Sequence, residues 1–261
     1  MSTKMVGMTS EAPAVPNPLQ PLDENWQRGL AIVAHPDDLE FGAAAAIARW
    51  TAQGKEIVYV LLTSGEAGID GIDPAEAGPL REEEQRESAR IVGVSQVDFL
   101  GLPDGVLEYG VPLRRETTRV NRKYKPEIVI TGSFRDSWDP DGENLNMSDH
   151  IVTGRAVLDA ARDAGNRWVF REQIEQEGLE RWGGVAQVWA SGSWKAKHGV
   201  DTTDTFALGV QSLEAHAAYL RGLGSGDFDA EEFLEGFSRQ TGARMGTKYA
   251  AVFEVFKLGL L

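Results

Sequence analysis

Short apolar, β-branched runs recur along the chain at Leu30–Ala34, Ile57–Thr63, Val97–Leu100, Ile128–Thr131 and, more weakly, Val185–Ala190. Stretches of helical period separate them: Phe41–Ala52, Leu80–Ile91, Leu113–Tyr124 and His150–Ala164. The strand-like runs lack clean alternation, as expected where both faces of a sheet are covered. Apolar runs alternating with helices are the sequence form of βαβ units, so the pattern predicts an α/β fold, a mostly parallel sheet with helices on both faces. Pro103, Pro112, Pro126 and Pro140 fall between elements, where breakers belong. The tail reads as a C-terminal addition: helices over Phe206–Leu223 and Ala230–Gln240, then a strand over Tyr249–Phe256.

No composition shift or repeat divides the chain of 261 residues, so residues 27–261 are expected to form a single domain. Residues 1–26 hold one lysine, several prolines and no apolar core segment. They read as an extended arm and not as a signal peptide. The formal net charge of -14 argues against nucleic acid and anionic membrane surfaces as partners. No apolar stretch approaches the roughly 20 residues that span a bilayer. The cytoplasm is the default location, and homo-oligomerisation is left open. With no cysteine, disulfides, thiolate zinc sites and cysteine nucleophiles are excluded, so any zinc would need His and carboxylate ligands.

The chemistry concentrates in one turn. His35-Pro36-Asp37-Asp38-Leu39-Glu40 follows the first apolar run directly, at the edge of the sheet where α/β folds bind ligands. His35 and Asp38, three residues apart, can converge on one cation. Only four histidines exist, and His150 follows Ser148 and Asp149, either of which reads as a helix cap. That places His150 in a first helical turn after a long Gly/Asp/Asn-rich loop. His35, Asp38 and His150 together match the usual ligand set of a catalytic zinc, three protein ligands with a position left open. Asp37, not needed as a ligand, is the natural general base. Glu40 reads as orienting a ligand, and His198 as an exposed loop residue. Most of the seven tryptophans read as core or subunit contacts, with Trp138, in the loop before His150, the one whose flat ring is available for stacking.

Taken together, these motifs resemble the de-N-acetylase superfamily of the N-acetylglucosaminyl-phosphatidylinositol de-N-acetylases and the mycothiol-pathway deacetylases and amidases. The similarity runs from Leu30 to Tyr219 through Ala34-His35-Pro36-Asp37-Asp38-Leu39-Glu40, Thr63-Ser64-Gly65-Glu66-Ala67-Gly68, Leu100-Gly101-Leu102-Pro103-Asp104-Gly105, Ser148-Asp149-His150 and Leu213-Glu214-Ala215-His216. The resemblance implies a Rossmann-like sheet, a divalent metal (zinc, or another such as Fe2+) and removal of an N-acyl group from a small amino-sugar-like substrate. It implies metal ligation by His35, Asp38 and His150, Asp37 as base, and substrate contacts from Arg81 and Asp104. One departure stands out. Where the family often has a His three residues before its second metal His, this chain has Met147, whose thioether donates no hydrogen bond. His216 is the expected replacement, lining the metal pocket. The alternatives are an amidase acting on a thiol conjugate or other small amide, and a Rossmann-like binding protein without turnover.

Overall fold

Neighbouring residues of the apolar runs are buried on opposite faces of one sheet. Leu30, Ile32, Val58, Val60 and Val129 share one core with Leu113, Val120, Ala156 and Val157. Ala31, Val33, Tyr59, Leu61 and Ile130 share the other with Ala46, Ile47 and Trp50. A period of two with both faces apolar is what a sheet covered by helices on each side requires.

The computed structural model describes residues 17–223 and 228–258. In chain order the elements are β1 (Gln20–Pro21), β2 (Arg28–Val33), α1 (Ala44–Ala52), β3 (Glu56–Leu61), α2 (Pro74–Ile91), β4 (Gln96–Phe99), α3 (Val111–Tyr124) and β5 (Ile128–Gly132). There follow α4 (Ser148–Asp163), α5 (Glu172–Glu175), β6 (Gln187–Ser191), β7 (His198–Asp201), α6 (Phe206–Glu214), α7 (Ala217–Gly222), α8 (Ala230–Met245) and β8 (Ala250–Lys257). The strands form one sheet in the order β1-β7-β8-β6-β5-β2-β3-β4. All run the same way except β8, which is antiparallel to both its neighbours. The chain leaves β2 toward β3 on one side and returns to β5 on the other. The crevice above the carboxyl ends of β2 and β5 is therefore the topological switch point.

Several sequence expectations shift. The helix expected over Phe206–Leu223 breaks at His216, whose backbone (φ -80°, ψ 47°) leaves the helical region between α6 and α7. α2 starts earlier than its apolar period suggests, because Pro74 opens it and the Asp73 side chain accepts from the Ala75 N–H. His198 is not an exposed loop residue: it is half-buried in β7, between β1 and β8. Residues 1–16 of the expected arm lie outside the described residues. Its remainder packs against this chain, with Leu19, Leu22 and Trp26 buried and Glu24 accepting from Arg49 and Trp50 of α1.

Candidate metal and catalytic site

The turn after β2 folds back on itself through Asp38. Its Oδ2 accepts from the backbone N–H groups of Ala34 and His35, each at 3.0 Å, which leaves Oδ1 available. His150 stands in the first turn of α4, and its Nδ1 lies 2.9 Å from Asn146 Oδ1. The Asn146 amide nitrogen is committed to the carbonyls of Ser133 and Arg135, so its oxygen must be the acceptor. His150 then carries its proton on Nδ1 and its lone pair on Nε2. Helix α4 carries no side-chain cap, so the expected capping by Ser148 or Asp149 does not occur.

Three donor atoms converge. His35 Nδ1 lies 3.3 Å from His150 Nε2, His150 Nε2 lies 3.0 Å from Asp38 Oδ1, and His35 Nδ1 lies 3.6 Å from Asp38 Oδ1. Ligands about 2.0–2.1 Å from a tetrahedral ion stand roughly 3.3–3.4 Å apart, so this triangle fits a zinc-sized cation. The second nitrogen of His35 faces two more carboxylates, Asp104 Oδ1 at 3.0 Å and Asp149 Oδ2 at 3.5 Å. Burial disfavours the His35 cation, but Asp104, Asp149 and Asp38 outweigh it and push the imidazole up to about 12. Burial likewise disfavours the Asp38 anion, yet His150 and His35 hold it well below the usual carboxylate range. Surplus negative charge around imidazoles is the setting in which a divalent cation is stabilised.

Asp37 points elsewhere. Its φ of 84° is in the left-handed region, an uncommon conformation for a residue with a side chain and one that costs energy. Two groups of α2 hold it: Gln85 Oε1 accepts from its N–H at 2.9 Å, and Arg81 Nη2 donates to Oδ2 at 2.6 Å. Burial pushes the Asp37 carboxyl up to about 7, against the downward pull of Arg81. Arg81 is itself 2% exposed. It donates to the carbonyls of Gly65 and Pro36 and stacks over the Tyr219 ring. A Cβ on Gly65 or Gly68 would sit 2.2 or 2.3 Å from Arg81 Nη1, so the glycine loop exists to wrap the guanidinium.

The sequence expectations for substrate contact are corrected accordingly. Arg81 is spent on Asp37 and its loop. Asp104 is spent on His35 and on the Ala67 N–H. His216 is fully buried behind Asp37, 3.8 Å from Glu40 Oε2, and does not line the metal pocket. Burial disfavours both charges, but each raises the other's ionised form: His216 is pushed up and Glu40 held down. Glu40 does not orient a metal ligand. It accepts from Gln85 and Ser88, and so acts on Asp37 through Gln85. Met147 is 54% exposed at the helix start. Gln85, Asn146 and the Asp149 contact to His35 were not read from the sequence. Arg81, Gln85 and Ser88 follow the i, i+4, i+7 spacing of one helix face, the signal that would have flagged Gln85.

Beside the triangle, a cavity runs along Asp38, His150, Val33 and Phe41 to the loop after β5, with Trp138 edge-on to His150 at its wall.

The family profile described as PIG-L: GlcNAc-PI de-N-acetylase matches residues 30–161. Among curated proteins, the diacetylchitobiose deacetylase of Thermococcus kodakarensis is 36% identical over 138 residues, 52% of this chain and 49% of that protein. The 1D-myo-inositol 2-acetamido-2-deoxy-alpha-D-glucopyranoside deacetylase of Streptomyces scabiei is 28% identical over 182 residues, 59% of this chain and 54% of that protein. The chain thus spans about half the length of the curated relatives it matches. Of the solved structures, the N,N'-diacetylchitobiose deacetylase from Pyrococcus horikoshii has the same fold, with a TM-score of 0.79 at 24% identity over 94% of this chain and 88% of that one.

Proposed function

The chain belongs to the PIG-L family of GlcNAc-PI de-N-acetylases, and we propose that it is a metal-dependent hydrolase that removes an N-acetyl group from a small amino-sugar-like molecule. The observation that carries the reading is the donor triangle of His35 Nδ1, Asp38 Oδ1 and His150 Nε2, with the second polar atom of Asp38 and of His150 hydrogen-bonded to the protein and that of His35 facing Asp104. Relatives that act on N-acetylated sugars support the substrate class. Zinc is the proposed metal, because two imidazoles and a carboxylate are its common catalytic set. The cytoplasm is the proposed location.

His35, Asp38 and His150 would hold the ion. A bound divalent cation supplies Lewis acidity, polarising the amide carbonyl and easing deprotonation of water. Asp37 takes the proton of the attacking water. A base with its pKa near 7 is matched to that task at neutral pH. Arg81 occupies Asp37 Oδ2, so the proton goes to Oδ1, and Asp37 then returns it to the leaving amine. Gln85, fixed by Glu40, keeps the backbone of Asp37 in its strained conformation.

The test is acetate release from a panel of N-acetylated amino sugars and their conjugates, before and after chelation and metal return. We expect turnover of at least one substrate, loss with chelator and recovery with zinc. Metal-bound protein that hydrolyses neither these nor amino sugars bearing a longer N-acyl chain refutes the reading.

A further inference from the structure

The cavity beside the donor triangle has no part in the roles given above. It shares Asp38 and His150 with the metal site, but Asp37 and Arg81 do not reach it. Apart from those two ligands its walls bear no charge, and Val33, Phe41 and Gly132 make it largely apolar. Its free volume is about 80 Å³, whereas admitting one water takes roughly 10–15 Å³. That is room for several non-hydrogen atoms, more than the single methyl carbon of an acetyl group. A Cβ on Gly132 would meet nothing within 4 Å, so the space continues past the end of β5. Two hydroxyls in the wall, Ser133 Oγ and Thr153 Oγ1, are buried and have no hydrogen-bond partner among the described residues. Buried hydroxyls are normally paired, so a ligand atom or water is expected to meet them.

We propose that this cavity is the acyl site and that it is built for a short acyl chain longer than acetyl and bearing an oxygen, such as a 3-hydroxybutyryl group. The proposal rests on the hydrolase reading above. A sugar ring presents hydroxyls on every side, and this wall offers only two buried hydroxyls without a partner, so the apolar fragment of the substrate is the one that fits. In the reaction the amide C–N bond breaks and the oxygen of water joins the acyl carbon. The amine leaves with the water's protons, and the acyl chain stays in the cavity as a carboxylate.

The product carboxylate gives a readout that needs no turnover. Calorimetry on the zinc-loaded protein would compare acetate, butyrate and 3-hydroxybutyrate. Each buried CH2 brings roughly a fourfold gain, so butyrate, with two more, should bind about fifteenfold more tightly than acetate. The hydroxy acid should bind more tightly still. Gly132→Val should abolish the gain from chain length, and Thr153→Val should abolish the gain from the hydroxyl. Equal binding of all three acids, or preferences that survive both substitutions, overturns the proposal. If the preferences hold but no N-acyl sugar is hydrolysed, the hydrolase reading fails and the assignment of the cavity to a short oxygenated carboxylate stands.

Discussion

Arg81 Nη2 stands 2.6 Å from Asp37 Oδ2, with both side chains buried. The cation therefore does two opposing things to the proposed base. It fixes one oxygen in place, and it weakens the basicity that burial would otherwise raise further.

Arg81→Lys should keep the bound metal and slow the reaction by about 10²-fold, because one ammonium cannot reproduce the guanidinium's contacts to Asp37, Pro36 and Gly65. Arg81→Gln should also move the pH profile. Asp37 works only when ionised, so the rate rises with pH through its pKa. Without the cation that pKa goes up, and the acidic limb should shift to higher pH. Steady-state kinetics across pH check both, and an unshifted limb in Arg81→Gln counts against Asp37 as the base.

Asp104 and Asp149 flank the outer nitrogen of His35, and Asn146 holds that of His150. Removing such a partner typically costs 10–100-fold in metal affinity. Asp104→Asn and Asn146→Ala should each weaken binding by about that much in competition with a chelator. Unchanged affinity in both would mean that the ligands need no support.

Much of this was legible in sequence, for a physical reason. Asp37, Asp38 and His35 lie within one turn, so strand, turn and charge pattern suffice to place them together. Arg81, Asp104 and Asp149 were misassigned because their partners lie some 40 or more residues away, and only the sheet order brings them together. β7 was missed because His198-Gly199-Val200-Asp201 has one large apolar residue and is defined by its pairing, not by its pattern. The break at His216 was hidden because the apolar period runs through it, while its imidazole is drawn inward to Glu40.

His216→Leu should destabilise the fold and leave KM nearly unchanged. It strands the buried Glu40 carboxylate without a counter-charge, a loss on the order of 3–5 kcal/mol. Denaturant unfolding measures the first effect and kinetics on the folded fraction the second. A large rise in KM would return His216 to the substrate site.

Glu24 pins the segment before β2 onto α1. Burial opposes its charge, but Arg49, Trp50 and Gln53 hold its carboxyl below the ordinary value. A depressed carboxyl stabilises the fold above its unfolded pKa and loses that effect as pH falls through the folded one. Glu24→Gln should thus cost about 1 kcal/mol at pH 7, with the difference vanishing in acid below the lowered pKa. Unfolding curves at the two pH values decide it.

The most direct test is bound metal per chain, measured by elemental analysis in the wild-type protein and in four variants prepared alike. The wild type should carry one divalent ion. His35→Ala, Asp38→Ala and His150→Ala should each lose most of it, and Asp37→Asn should keep it while turnover falls by about two to four orders of magnitude. Full metal content in His35→Ala and His150→Ala, or its loss in Asp37→Asn, would contradict the assignment of ligands and base.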